Sequence, residues 1–208
     1  RLAADGTLTR FTAVDGLSGA VQAIEEDRDG NIWFGTSTGL HRRSPSGAWS
    51  TFTSEIQMRL GRRAPWVSTL LADPDGGLWI GFSGGSNEDV LWRRRTDGSM
   101  EAYPLPHVSG SRSRLALAVD PRGGILVGWM NQRIERIEAD GTLSTLIIVD
   151  RLNNTYIHDL ATDARGQLWA ATSDGLARQG GDGSWRTFHT ADGLPGPQVE
   201  AAVVDWQG

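Results

Sequence analysis

In the stretch EDRDGNIWFGTSTGL, Asp27, Asp29 and Asn31 alternate around Gly30, a spacing that could open a calcium loop. Such a loop needs further oxygen ligands and a distal acidic residue to close the shell. The equivalent stretches later in the chain read DPDGG, DPRGG and DARGQ, which keep Asp and Gly and discard the other ligands. The expectation is therefore a tight corner, in which Asp accepts hydrogen bonds from the turn's own backbone and Gly supplies a positive φ. His41, His107, His158 and His189 stand at unrelated places, without HxxxH or His-carboxylate spacing. No G-x-S-x-G elbow occurs. The chain has no cysteine, which removes disulfides, thiolate metal sites and cysteine nucleophiles together. No catalytic residue, no metal site and no cofactor is predicted.

The elements that would carry any site come from a repeat. The corner is matched by ADPDGGLWIGFSGGS, VDPRGGILVGWMNQR, TDARGQLWAATSDGL and a truncated VDWQG, with anchoring residues Asp27, Asp73, Asp120, Asp163 and Asp205. Their separations of 46, 47, 43 and 42 residues have the period of a propeller blade. A second phrase recurs between them: ADGTLTRF, SGAWSTF, TDGSMEAY, ADGTLSTL and GDGSWRTF. Short alternating apolar runs bounded by Asp-Gly or Gly-Gly signal hairpins. For the first full unit the strands are expected at about residues 21–26, 32–36, 39–44 and 49–53. Ile32 and Phe34 face one way and Trp33 the other, so the sheet needs cover on both sides, as blades stacked around an axis provide.

The fold class predicted is all-β: a β-propeller segment of four-stranded antiparallel blades, four complete units with partial blades at both ends. Residues 1–20 would be the outer part of a preceding blade, 21–66, 67–113, 114–156 and 157–198 the full blades, and 199–208 the start of the next. Trp33, Trp79 and Trp169 are expected to be buried at equivalent positions, and the third unit, in which Leu126 replaces Trp, to pack more loosely. No helix-length pattern of period 3.6 interrupts the series.

The 208 residues carry a net charge of −5, which argues against nucleic acid or an anionic membrane surface as partner. No apolar run approaches the roughly 20 residues of a membrane-spanning helix, so no membrane insertion by this segment is predicted. The first residue is Arg and no signal peptide is present, so the sequence is expected to start inside a longer chain.

The phrases DRDGNIWFGTSTGL and DARGQLWAATSDGL, with FTAVDGLSGAV and FHTADGLPGPQV, resemble the two-component regulator propeller repeat. The first and fourth units match nearly throughout; the second replaces the "GL" turn by GGSNEDV, and the third keeps only Asp120, Gly123 and Gly128 of the corner pattern. The resemblance implies a periplasmic or extracellular sensor module, in seven blades as a rule, ahead of a membrane helix and a kinase or cyclase. It implies as partners the neighbouring domains of the parent receptor and a small ligand, with oligosaccharides the known class. It makes a longer propeller the expected source of the segment, although the terminal halves could join into one shared blade. Streptogramin lyases carry related units, and RIERIEADGTLSTL is similar to theirs. A lyase-like or hydrolytic propeller and a propeller used only for protein contacts are the alternatives.

In a propeller, the loops that enter each inner strand and those joining second to third strands ring the central channel on one face. These loops vary here while the Asp-Gly corners hardly change. The candidate ligand-binding residues are Arg62, Arg63 and Trp66 in one loop, Arg112 and Arg114 in the next, and Asn153, Asn154 and Tyr156 in the one after. Forked donors, amides and flat apolar faces suit a sugar or an acidic ligand.

Overall fold

The computed structural model describes residues 5–60, 66–83, 91–105, 114–129, 133–147 and 156–204. It is an all-β propeller fold of four antiparallel four-stranded sheets, each ordered as in the sequence. The first holds β1 (Val21–Glu26), β2 (Ile32–Thr36), β3 (Gly39–Arg43) and β4 (Trp49–Thr51). An α-helix, α1 (Thr53–Leu60), precedes the second sheet of β5 (Trp66–Ala72), β6 (Leu78–Ser83), β7 (Leu91–Arg94) and β8 (Met100–Ala102). The third has β9 (Ala116–Val119), β10 (Ile125–Gly128), β11 (Arg133–Ile137) and β12 (Leu143–Ile147), and the fourth β13 (Ile157–Thr162), β14 (Leu168–Thr172), β15 (Gly175–Gln179) and β16 (Trp185–Phe188). The chain divides after Leu105 into two compact units, each with two of these sheets.

In the first unit, Trp33, Leu40, Val67, Leu70, Leu78, Ile80, Phe82 and Trp92 form the core between sheets. The first strands β1 and β5 lie side by side, and the amide of Ala72 donates to Glu25 Oε1 at 2.8 Å. Burial pushes the Glu25 carboxyl up, and the Ala72 bond opposes it. In the second unit Ala118, Leu126, Ile134, Ile157, Leu160 and Leu168 do the same work. Thr162 there donates to the Val119 carbonyl at 3.0 Å. The glycine of the W-x-G phrase makes this approach possible. A Cβ on Gly35 would lie 2.7 Å from Val67 Cγ1, and one on Gly128 would lie 2.9 Å from Ile157 Cγ2.

The corner is built from its own turn. Asp27 Oδ1 accepts from the amides of Asp29 and Asn31, at 3.0 and 2.9 Å, and Gly30 closes the turn at φ 75°. Asp163 repeats this with Arg165 and Gln167. The second oxygen reaches inward. It takes the indole N–H of Trp33 at 2.7 Å from Asp27, and that of Trp169 at 3.0 Å from Asp163. In the second and third sheets it meets an arginine of the third strand instead: Asp73 holds Arg93 Nε at 2.5 Å, and Asp120 pairs with Arg136. Those arginines occupy one register position throughout, opposite Trp33, Trp79, Leu126 and Trp169, where the partners are Arg42, Arg93, Arg136 and Arg178. Where the corner takes the indole, the arginine stacks on the ring, Arg42 5.5 Å from the Trp33 centroid and Arg178 5.3 Å from that of Trp169. An outer-strand aromatic completes each stack, Phe52 at 5.2 Å, Tyr103 at 4.8 Å and Phe188 at 5.9 Å.

Three expectations need correction. A helix does interrupt the series: α1 fills the long connection, with Ile56 fully buried in the core and Met58 exposed. Trp169 is only half-buried, because the segment 199–204 covers its face of the sheet incompletely and leaves an open groove. Leu126 is not loosely packed, being 2% exposed against 3% for Trp33. The outer strand shrinks with it, Leu146 taking the place held by Phe52 and Phe188 and packing on the same core.

Two outcomes are expected. Trp33 and Trp79 are equally buried, but the Trp79 indole N–H has no hydrogen-bond partner among the described residues. In urea unfolding followed by circular dichroism, Trp33→Phe should therefore destabilise the chain more than Trp79→Phe, by about 1.5–3 kcal/mol, the worth of a hydrogen bond to a charged group. Equal losses would contradict the assignment. The second concerns acid. Burial raises the Asp27 pKa, but the bonds from Trp33, Asn31 and the turn amides outweigh it and leave the carboxyl below its usual value. A depressed folded-state pKa stabilises fully above the unfolded value of about 3.9 and is lost as pH falls through the folded one. Asp27→Asn should lower stability at neutral pH and flatten its fall below about pH 4.

Candidate functional site

Of the residues named as ligand-binding candidates, Arg62, Arg63, Arg112, Asn153 and Asn154 lie outside the described residues. Trp66 opens β5 in the first unit and is 47% exposed. In the second unit, Arg114 is exposed just before β9, and Tyr156, 44% exposed, stands just before β13. Arg114 and Tyr156 line one cavity of about 200 Å³, together with Trp129, Ile157, His158 and Glu200.

Local structure explains the convergence. The Ile157 amide donates to the Trp129 carbonyl at 3.0 Å, which ties the start of β13 to the end of β10. Tyr156 is held by its amide on Ser173 Oγ and its carbonyl under the Ser173 amide, both at 3.1 Å. Ile157 then pairs with Thr172 and Asp159 with Ala171, so His158 falls in a β-bulge. A bulge re-aims one side chain away from the ladder, and here the imidazole lies against the cavity. Its Nδ1 faces Glu200 at 3.8 Å, and its ring stacks on Tyr156 with an interplanar angle of 16° and centroids 6.5 Å apart. Glu200 also accepts from Gln198 Nε2 at 2.5 Å. Among the described residues Arg114 has no ion-pair partner.

His158 and Glu200 were not anticipated, and Trp129 was expected only as the start of a second-to-third-strand loop, 129–133, on the ligand-facing ring. One signal was available for Trp129, which stands where the first and fourth units have Thr36 and Thr172. The bulge behind His158 recurs at Gln22 and Ser68, and no residue type announces it. A larger groove of about 500 Å³ beside Trp169 is apolar except for Asp163. That carboxylate is committed to its turn and to Trp169. Among the described residues no group of three or more His, Asp or Glu is placed to hold a metal ion.

Residues 15–38 and 151–174 match the family model described as two component regulator propeller. These two segments are thus similar to two component regulator propeller repeats. These two matches contain the first and fourth corners or their flanks, the units in which Asp bonds Trp. No curated protein matches the chain. Among solved structures, the extracellular domain of a putative one component system from B. thetaiotaomicron is similar at 20% identity and TM-score 0.72, over 91% of this chain and 25% of that one. Virginiamycin B lyase from Staphylococcus aureus is similar at 20% identity and TM-score 0.66, over 86% and 57%. A gluconolactonase from Xanthomonas campestris gives 16% identity and TM-score 0.63, over 88% and 65%. The chain thus spans a quarter to under two thirds of the length of these relatives, and at such identities the likeness is one of fold. No helix among the described residues is long and apolar enough to cross a membrane.

The segment 199–204 carries Glu200 into the cavity and is pinned by Val199, whose amide donates to the Thr172 carbonyl, and by Ala202, whose amide donates to Asp159 Oδ2 at 3.1 Å. Asp159→Ala should speed hydrogen exchange at the Ala202 amide and leave that of Val199 protected. Exchange unchanged at both would mean the segment is held by other means.

Proposed function

We propose that this chain is a ligand-sensing propeller of a membrane-bound signalling receptor of bacterial type, working on the extracytoplasmic side, and that it binds rather than transforms its ligand. The repeat family and the fold shared with an extracellular receptor domain support the sensing role. One observation carries the location of the site: an arginine without an ion-pair partner among the described residues and a half-exposed tyrosine, each just before an inner strand, open onto one cavity. Arg114 supplies forked donors, Tyr156 a flat face, and Trp129, 5% exposed, part of the wall. Arg112, Asn153 and Asn154 precede these residues by two or three positions and belong to the proposed site, while Arg62, Arg63 and Trp66 make a separate proposed contact in the first unit. A carbohydrate is the ligand class that fits this mixture.

The alternative, a lyase-like or hydrolytic propeller, would rest on His158 beside Glu200. The geometry favours it less, because His158 Nε2 is buried, without a hydrogen-bond partner among the described residues, and Nδ1 faces Glu200. A nitrogen sealed from the cavity does not reach a substrate proton. The test is a calorimetric screen with neutral and acidic saccharides. Tyr156→Ala should weaken binding of any ligand found by about tenfold or more, given the usual weight of a buried aromatic contact. Undiminished affinity would overturn the site, and turnover of the bound saccharide would overturn the sensing reading.

A further inference from the structure

We propose that the group this cavity takes is a single six-membered ring bearing one carboxylate, with the carboxylate on Arg114 and the ring face on Tyr156; the assignment rests on the cavity being the ligand site. Size is the first argument. At about 200 Å³ the cavity lies below the roughly 300–1,000 Å³ of sites for drug-sized ligands. One ring fills it, and a longer saccharide would have to leave its other rings outside.

Charge is the second argument. Among the described residues the cavity has one acid and one permanent cation, and they are not equivalent. Glu200 already accepts from Gln198 Nε2 at 2.5 Å and faces His158 Nδ1 at 3.8 Å. Arg114 has no ion-pair partner among the described residues although Glu200 lines the same cavity. The group left to receive a ligand is therefore the guanidinium. A guanidinium fork matches a carboxylate in two parallel bonds, a geometry that hydroxyls cannot reproduce. The chain as a whole carries −5, so long-range attraction does not bring an anion here, and the selection must be local. Shape is the third argument. Tyr156 is half-exposed and lies nearly parallel to His158, which sets the plane of its ring and offers a fixed flat face.

Two sources share this chemistry, a sugar acid and an aromatic carboxylic acid. Purified chain 1–208 would be titrated with glucuronate, glucose and benzoate, following the backbone amide signals of Trp129, Tyr156 and His158 by NMR. Glucuronate or benzoate should move these signals and bind at least about tenfold more tightly than glucose. Arg114→Gln, a change at an exposed residue, should erase that preference while leaving the amide signals of the rest of the chain, and so the fold, intact. Benzoate binding without glucuronate would assign the aromatic acid, and the reverse the sugar acid; either supports the proposal. Glucose binding as tightly as both acids at the same amides would overturn the anionic class and leave the site standing. No change at these amides with any of the three would overturn the site itself.

Discussion

The structure depends on a carboxylate with two different duties. One oxygen of each corner aspartate closes the turn that joins first and second strands, and the other reaches back over its own sheet for a donor. By gripping an indole or a guanidinium, the aspartate fixes a side chain on that face of the sheet. The arginine opposite then stacks on the ring or replaces it at the carboxylate. A buried donor or acceptor left alone is expensive, so the register of second and third strands follows from this one bond.

Most of that framework was legible because it repeats. The strands of the first sheet fall where alternation and turn residues put them, β1 and β2 to the residue. The Asp-Gly corner was readable as a turn because later copies discard the other oxygen ligands. What escaped has physical reasons. Among the described side chains helix α1 buries one, Ile56, and so short a helix has no period to detect. The common position of Arg42, Arg93, Arg136 and Arg178 passed unnoticed because a surface-type residue in a half-buried strand reads as the polar side of the alternation. Its value appears only when the ring across the pair is known.

The site divides along the same line. Loop composition pointed to Arg114 and Tyr156, and the structure brings those two to one cavity. Sequence could not supply His158 or Glu200. His158 is aimed by a bulge, a backbone event with no residue signature, and Glu200 arrives on a segment held by the Asp159 carboxylate from the neighbouring strand. The second depends on a contact between parts of the chain 43 residues apart, which no local pattern encodes. Residues presented by loops were readable from type, whereas residues presented by irregularities of the scaffold were not.

The second sheet holds two donors for one oxygen. Asp73 is taken by Arg93, and Trp79 keeps its ring in the stack with its N–H unmet. Within one chain this sheet stands between the Asp–Trp arrangement of the first and fourth and the third, where the ring is gone and Arg136 holds the aspartate. The order matters for how such an array diverges. Once the guanidinium has captured the carboxylate, the indole is dispensable, and leucine can follow without stranding a charge. The reverse order would pass through an orphaned aspartate. Redundancy of donors thus provides a viable intermediate, and copies descended from one unit can drift apart in composition while the architecture persists.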